Sequence, residues 1–263
     1  MKILSIAAIK GGVGKTTLTF NFGEWLAEQG NNILYIDLDH QCNLTQTYDI
    51  YDSENTVKDI FFFFFKVNIH EIKENISLIA GYMKLDAIEK DLENKVNKDM
   101  ILYMWLEDNY EHLELDRFDY ILIDCHPDFS TATRNAIAIS HSIISPIIPS
   151  EHGYNAKFNI EDRLQDFKKE VINYQTRESY ITAKLFFVAN MIKHNTKSSK
   201  ELLEVLNDDP DVIGIIPEKE LFNRSTLDKT SISAMKKDNK LYLKQKKFFN
   251  EIETIFTNIE QSI

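Results

Sequence analysis

One glycine-rich turn constrains this chain more than any other stretch. The apolar run Ile3-Leu4-Ser5-Ile6-Ala7-Ala8-Ile9 reads as a buried strand, Lys10-Gly11-Gly12-Val13-Gly14-Lys15-Thr16-Thr17 follows it, and Leu18 to Glu28 reads as a helix. Strand, glycine turn and helix N-terminus together form the context of a phosphate-binding loop. Glycines let successive backbone N–H groups curl around an anion, and the helix behind them adds partial positive charge. The chain has only 8 glycines, and three of them stand at 11, 12 and 14. Such clustering marks a backbone task. Lys15 is placed to reach the β- and γ-phosphates of a nucleotide, and the Thr16 hydroxyl to ligate Mg²⁺.

Two further apolar runs end in carboxylates. Ile33-Leu34-Tyr35-Ile36-Asp37-Leu38-Asp39 carries Asp37 and Asp39 at its carboxyl end, and Phe118-Asp119-Tyr120-Ile121-Leu122-Ile123-Asp124 carries Asp124. In open α/β sheets ligands gather beyond the carboxyl ends of the strands, so these aspartates are expected to face the phosphate loop. A strand-borne aspartate of this kind holds the metal's water shell.

The loop departs from the general pattern, with Ile9 where a glycine is usual and Lys10 before Gly11. In this form it resembles the deviant Walker A loop of the ParA/MinD family of dimeric ATPases. The resemblance implies that Lys10 reaches the phosphates of a partner subunit, with residues 10 to 17 (including Val13 and Thr17) enclosing ATP. It implies catalytic roles for Lys10, Lys15 and Asp39, the last orienting the attacking water. It implies Mg²⁺ held by Thr16, Asp39 and Asp124, the carboxylates through water. Asp37-Leu38-Asp39-His40-Gln41-Cys42-Asn43 is similar to the family's second motif, with His40 in place of a proline. Cys125-His126-Pro127 is similar to its switch region, with His126 in place of another. Asn190 and Pro217, each at the end of a later strand-like run, are implied as adenine contacts; an amide both donates and accepts.

The rest alternates strands with helices. Strands are expected at 76–81, 142–148, 183–190 and 213–216, and helices at 84–96, 100–113, 131–139 and 159–173. This predicts a doubly wound, mainly parallel sheet with helices on both faces, forming a single domain over residues 1–263. The five phenylalanines Phe61 to Phe65 cannot share one face of any element, so the run is expected to overlap core and interface.

The net charge is −11, which argues against a surface basic all over. Between Lys229 and Lys247, however, Lys229, Lys236, Lys237, Lys240, Lys244, Lys246 and Lys247 face a single opposing Asp238. Lys240, Lys244 and Lys247 fall at helical spacing, a footprint for phosphate backbone. With Arg224, residues Lys236, Lys237, Lys240, Lys244 and Lys247 are the expected DNA contacts, nonspecific because no base-reading motif accompanies them. No apolar run reaches the ~20 residues of a membrane helix, and the first residues do not read as a signal peptide. Cys42 and Cys125 lack metal spacing and are expected to be reduced thiols.

The resemblance implies a cytoplasmic, nucleoid-associated partition ATPase. ATP would close a homodimer on nonspecific DNA, and a ParB-like centromere-binding protein would stimulate its release. A MinD-like membrane-positioning ATPase is the alternative, but the terminal segment 248–263 has an acidic polar face, and no stable membrane association is expected. A reductase of the nitrogenase iron-protein kind would need cluster-ligating cysteines that Cys42 and Cys125 do not supply.

Overall fold

The apolar runs Lys2–Ile6, Ile33–Leu38, Tyr120–Cys125 and Ser142–Ile147 become central strands because they are buried on both sides. In the computed structural model, which describes residues 1–62, 66–150 and 153–263, the strands are β1 (Lys2–Ile6), β2 (Ile33–Leu38), β3 (Ile69–Lys73), β4 (Ile76–Ile79), β5 (Tyr120–Cys125), β6 (Ser142–Ile147), β7 (Lys184–Ile192) and β8 (Val212–Pro217). They form one sheet in the order β3-β4-β2-β5-β1-β6-β7-β8. Every described pairing is parallel except β3 with β4, which is antiparallel. The doubly wound, mainly parallel sheet expected from the sequence is therefore present. β3 was not foreseen: Ile69-His70-Glu71-Ile72-Lys73 holds only two apolar residues, three apart, and lies half-exposed at the sheet edge, where the strand signal is weak.

Strand alternation sends neighbouring side chains to opposite faces. Ile3, Leu34, Ile36, Ile121 and Ile123 enter one core, packed by α3 (Val57–Ile60), α4 (Leu85–Leu92), α5 (Ile101–Asn109), α6 (Thr131–Ile139) and α7 (Gly153–Glu170). Leu4, Ile6, Ile33, Tyr35 and Leu122 enter the other, under α1 (Lys15–Glu28), α9 (Glu220–Leu227), α10 (Ile232–Lys236) and α11 (Asn239–Ser262). The remaining helices are α2 (Asn43–Thr47) and α8 (Lys197–Leu206). Helices thus cover both faces.

Some boundaries moved. β1 stops at Ile6, so Ile9 belongs to the loop, and α7 begins at Gly153 rather than at 159. Within the phenylalanine run, Phe61 is buried in the core and Phe62 is partly exposed, while Phe63 to Phe65 lie outside the described residues. Arg134 and Asn135 serve the fold. Arg134 pairs with Asp99 at 2.9 Å and lies over the Phe167 ring, and buried Asn135 accepts from Leu102 N at 2.9 Å.

The C-terminal helix is committed to the interior. Phe249, Ile252, Phe256 and Ile259 are buried, and Phe256 packs edge-on to Phe22 and Trp25 at 5.5 and 5.9 Å. The backbone leaves helical geometry at Gln245 (φ −122°, ψ 21°). No helix among the described residues is long and apolar enough to cross a membrane.

Candidate functional site

The glycine loop adopts the shape its residues suggest. Gly14 sits at φ +87°, in the left-handed region that favours glycine, and caps α1; its carbonyl accepts from Leu18 N at 2.9 Å. A Cβ added at Gly14 would stand 2.5 Å from Asn190 Nδ2. Lys15, only 6% exposed, lies at the first turn of α1.

The loop meets β5 directly. Thr16 Oγ1 donates to Asp124 Oδ2 at 2.6 Å, and Thr19 Oγ1 donates to Asp124 Oδ1 at 3.2 Å. The parallel register of β2 and β5 sets Asp37 beside Asp124, so both carboxylates point the same way. Burial, reinforced by the charge of Asp37, pushes Asp124 up to about 8 despite the Thr16 hydrogen bond and Lys15. Burial also raises Asp37 to about 6. A buried hydroxyl–carboxylate pair, with a second carboxylate alongside, calls for more positive charge than Lys15 provides. Thr16 and Asp124 therefore fit a hard divalent cation such as Mg²⁺.

Asp37, expected to face the phosphates, instead anchors its own loop. Its Oδ2 accepts from Thr45 N at 2.9 Å and Thr45 Oγ1 at 2.6 Å, and Thr45 Oγ1 in turn accepts from Gly81 N at 2.8 Å. Thr45→Val removes the donor to a buried carboxylate and strands the Gly81 N–H. We expect a loss of about 3 kcal/mol, read as a lower urea midpoint. Asp39 is 5% exposed, and its Oδ1 accepts from Gln41 N at 2.9 Å. The rings of His40 and His126 stack with centroids 3.9 Å apart, and His126 Nδ1 lies 2.8 Å from Asp128 Oδ2.

Lys10 Nζ donates to Ser150 Oγ of the same chain at 2.9 Å. Asn190 and Pro217 line one cleft with Gly14 and Thr17. The Asn190 amide is largely engaged there: Nδ2 donates to Val13 O at 2.8 Å and Oδ1 accepts from Met191 N at 2.9 Å. It braces the loop from beneath. Cys42 and Cys125 are both free and buried, and burial raises both thiols, Cys42 to about 12.

The basic segment is less positive in space than along the chain. Arg224 pairs with Asp228 at 2.7 Å, Lys237 with Glu28 at 2.9 Å, Lys236 with Glu253, and Lys229 with Asp49. The expected contacts Arg224, Lys236 and Lys237 thus already have acidic partners, brought in partly by other elements. Lys240, Lys244 and Lys247 are exposed and have no ion pair among the described residues, but the break at Gln245 takes Lys247 out of helical phase with the other two.

Sequence reasoning missed Thr19, Thr45 and Ser150. Thr19 lies one turn beyond Lys15 on the loop face of α1, a spacing that could have indicated it. Thr45 and Ser150 reach their partners only through the fold.

The AAA domain family model matches residues 1–177. An uncharacterised protein of Methanocaldococcus jannaschii is 31% identical, over 82% of this chain and 85% of that protein. The sporulation initiation inhibitor protein Soj of Bacillus subtilis is 36% identical over 56% of this chain and 58% of its own length. Among solved structures, a Borrelia burgdorferi protein assigned to plasmid partition, with AMPPNP bound, superposes with a TM-score of 0.78 at 24% identity, over 100% of this chain and 99% of that one. With that match across more than half its length, and with the glycine loop, its lysines and the Thr16–Asp124 pair assembled on the sheet, the chain belongs to the AAA domain family of P-loop ATPases, in its ParA/Soj-type branch.

Proposed function

We propose that residues 1–263 act as one partition ATPase domain: ATP closes a homodimer, the dimer binds DNA without sequence preference, and a ParB-like centromere-binding protein stimulates hydrolysis and release. The observation that carries this reading is the Lys10–Lys15 loop seated on Asp124 through Thr16. Residues 10 to 17 enclose the phosphates, Lys15 contacts the β- and γ-phosphates, and Asn190 and Pro217 border the adenine. Thr16 and Asp124 would hold Mg²⁺, which would supply charge neutralisation on the phosphoryl oxygens. Asp39 orients the attacking water. Lys10 leaves Ser150 for the partner subunit's phosphates, where its charge stabilises the transferring group. The protein acts in the cytoplasm on the nucleoid.

Burial of Phe248, Phe249, Ile252, Phe256 and Ile259 supports DNA over a membrane surface, because these apolar side chains of α11 are already in the core. The exposed Lys240, Lys244 and Lys247 are the phosphate contacts, with Arg224, Lys236 and Lys237 contributing once their acidic partners yield. A gel shift on random-sequence duplex DNA with ATP, ADP or no nucleotide tests this. Retention is expected with ATP alone, and Lys240→Ala/Lys244→Ala/Lys247→Ala should weaken it about 10-fold or more at low salt. Binding that ignores both nucleotide and lysines rejects the DNA reading. ATP-dependent sedimentation with anionic vesicles but not DNA favours the MinD-like alternative.

A further inference from the structure

The chain departs from the ParA/MinD pattern at His40 and His126, and the fold brings these two positions together. They lie on the loops after β2 and β5, with ring centroids 3.9 Å apart and 33° between planes. Asp39 completes the group: one ligand atom from each of Asp39, His40 and His126 lies within 4.8 Å of the others. Metal–nitrogen bonds of about 2.0–2.1 Å require closer ligands than that, and both imidazoles are only partly buried, so their side chains can rotate to close the gap.

His126 is already oriented for such a role. Its Nδ1 lies 2.8 Å from Asp128 Oδ2, a carboxylate that accepts from Nδ1–H and so favours the neutral tautomer with the lone pair on Nε2. A carboxylate behind an imidazole is the arrangement that fixes the tautomer and raises the basicity of a metal-bound histidine. Asp128 is in turn held by Ser130 N, which donates to its Oδ1 at 3.1 Å. The donor set of two imidazoles and one carboxylate favours Zn²⁺, Co²⁺ or Ni²⁺ over Mg²⁺, which selects oxygen ligands. It is thus chemically distinct from the oxygen site at Thr16 and Asp124.

We propose that Asp39, His40 and His126 form a binding site for a transition-metal ion of the Zn²⁺ class, and that its occupation pins the β2 and β5 loops together and withdraws Asp39 from hydrolysis. The inhibitory half rests on the ATPase reading above; the binding half does not.

Co²⁺ titrated into the chelator-treated, nucleotide-free full chain tests the binding half through its visible d–d absorption. One equivalent is expected to bind, displaced by Zn²⁺. His40→Gln and His126→Gln should each weaken binding by about 10-fold or more, and Asp128→Asn, which removes no ligand, by about 10-fold. Thermal melts confirm that each variant is folded, and Asp128→Asn carries the test if a glutamine variant is not. Co²⁺ binding that is absent, or equal in wild type and all variants, overturns the site. For the inhibitory half, the ratio of ATP turnover with and without one equivalent of Zn²⁺, in excess Mg²⁺, should fall at least several-fold below one for wild type and stay near one for His40→Gln/His126→Gln. Equal Zn²⁺ inhibition of both overturns that half. Wild type without turnover in excess Mg²⁺ and without added Zn²⁺, with or without DNA, rejects the ATPase reading, while the Co²⁺ titration still decides the site.

Discussion

Lys15→Ala should abolish measurable ATP turnover. Lys15 is 6% exposed at the first turn of α1, directly after Gly14, whose φ of +87° gives the loop the turn an anion cradle needs. A charge-assisted contact to phosphate is worth about 1.5–3 kcal/mol in the bound state. Lost stabilisation of the transferring phosphoryl group costs about 10²–10³-fold more in rate. Together these predict a fall in kcat/KM of about 10³-fold or greater, with binding of a fluorescent ATP analogue weakened by at least about 10-fold. The loss should not be one of folding. Burial already favours the protonated form of Asp124, so loss of the Lys15 charge leaves no bare buried charge behind. A melt close to that of wild type, with turnover gone, is the expected pair of results. Equal turnover in wild type and Lys15→Ala would refute the P-loop as the site of hydrolysis.

Gly23→Ala should lower stability, the opposite of what helix propensity suggests. Gly23 lies inside α1, where alanine is favoured by about 1 kcal/mol. A Cβ there would stand 2.2 Å from Tyr35 Oη, 2.5 Å from Tyr35 Cζ and 2.7 Å from Leu122 Cδ1. Tyr35 cannot simply swing away, because it is fully buried and its hydroxyl donates to Phe20 O at 3.0 Å. The helix must lift from β2 and β5 or the core must repack, at about 1–3 kcal/mol or more. Set against the helix gain, a net loss of about 1–2 kcal/mol corresponds to a Tm about 2–8 °C lower for a chain of this size. Gly23→Ala/Tyr35→Phe should recover part of it, since the hydroxyl contact goes while the ring contact stays. An unchanged or raised Tm for Gly23→Ala would show that α1 is not pressed on the sheet at this point.

The elements that could be read from the sequence are those whose signal is local. The glycine loop, β2 and β5 combine long apolar runs with punctuation at their ends, and each was found within a few residues. α6 was found with its boundaries intact. The edge strand β3 was missed because an exposed strand carries only half an apolar pattern. In the candidate site, the motifs named Lys10, Lys15, Thr16, Asp39 and Asp124. They did not reveal that Asp37 would be tied to Thr45, or that Asn190 would brace Val13. A carboxylate at a strand end looks the same whether it faces a ligand or its own loop.

The charged segment shows the same limit. Seven lysines against one aspartate is a count along a line. Glu28, Asp49 and Glu253 come to Lys237, Lys229 and Lys236 only once helices pack.

From the sequence alone came the phosphate loop, the class of sheet behind it and the carboxylates at its strand ends, because each depends on neighbours a few bonds away. The tertiary structure decided which carboxylates stay available, which lysines remain unpaired, why Gly23 has no side chain, and that His40 and His126 stand ring to ring. Those outcomes depend on distances between segments far apart in the chain, and packing sets those distances.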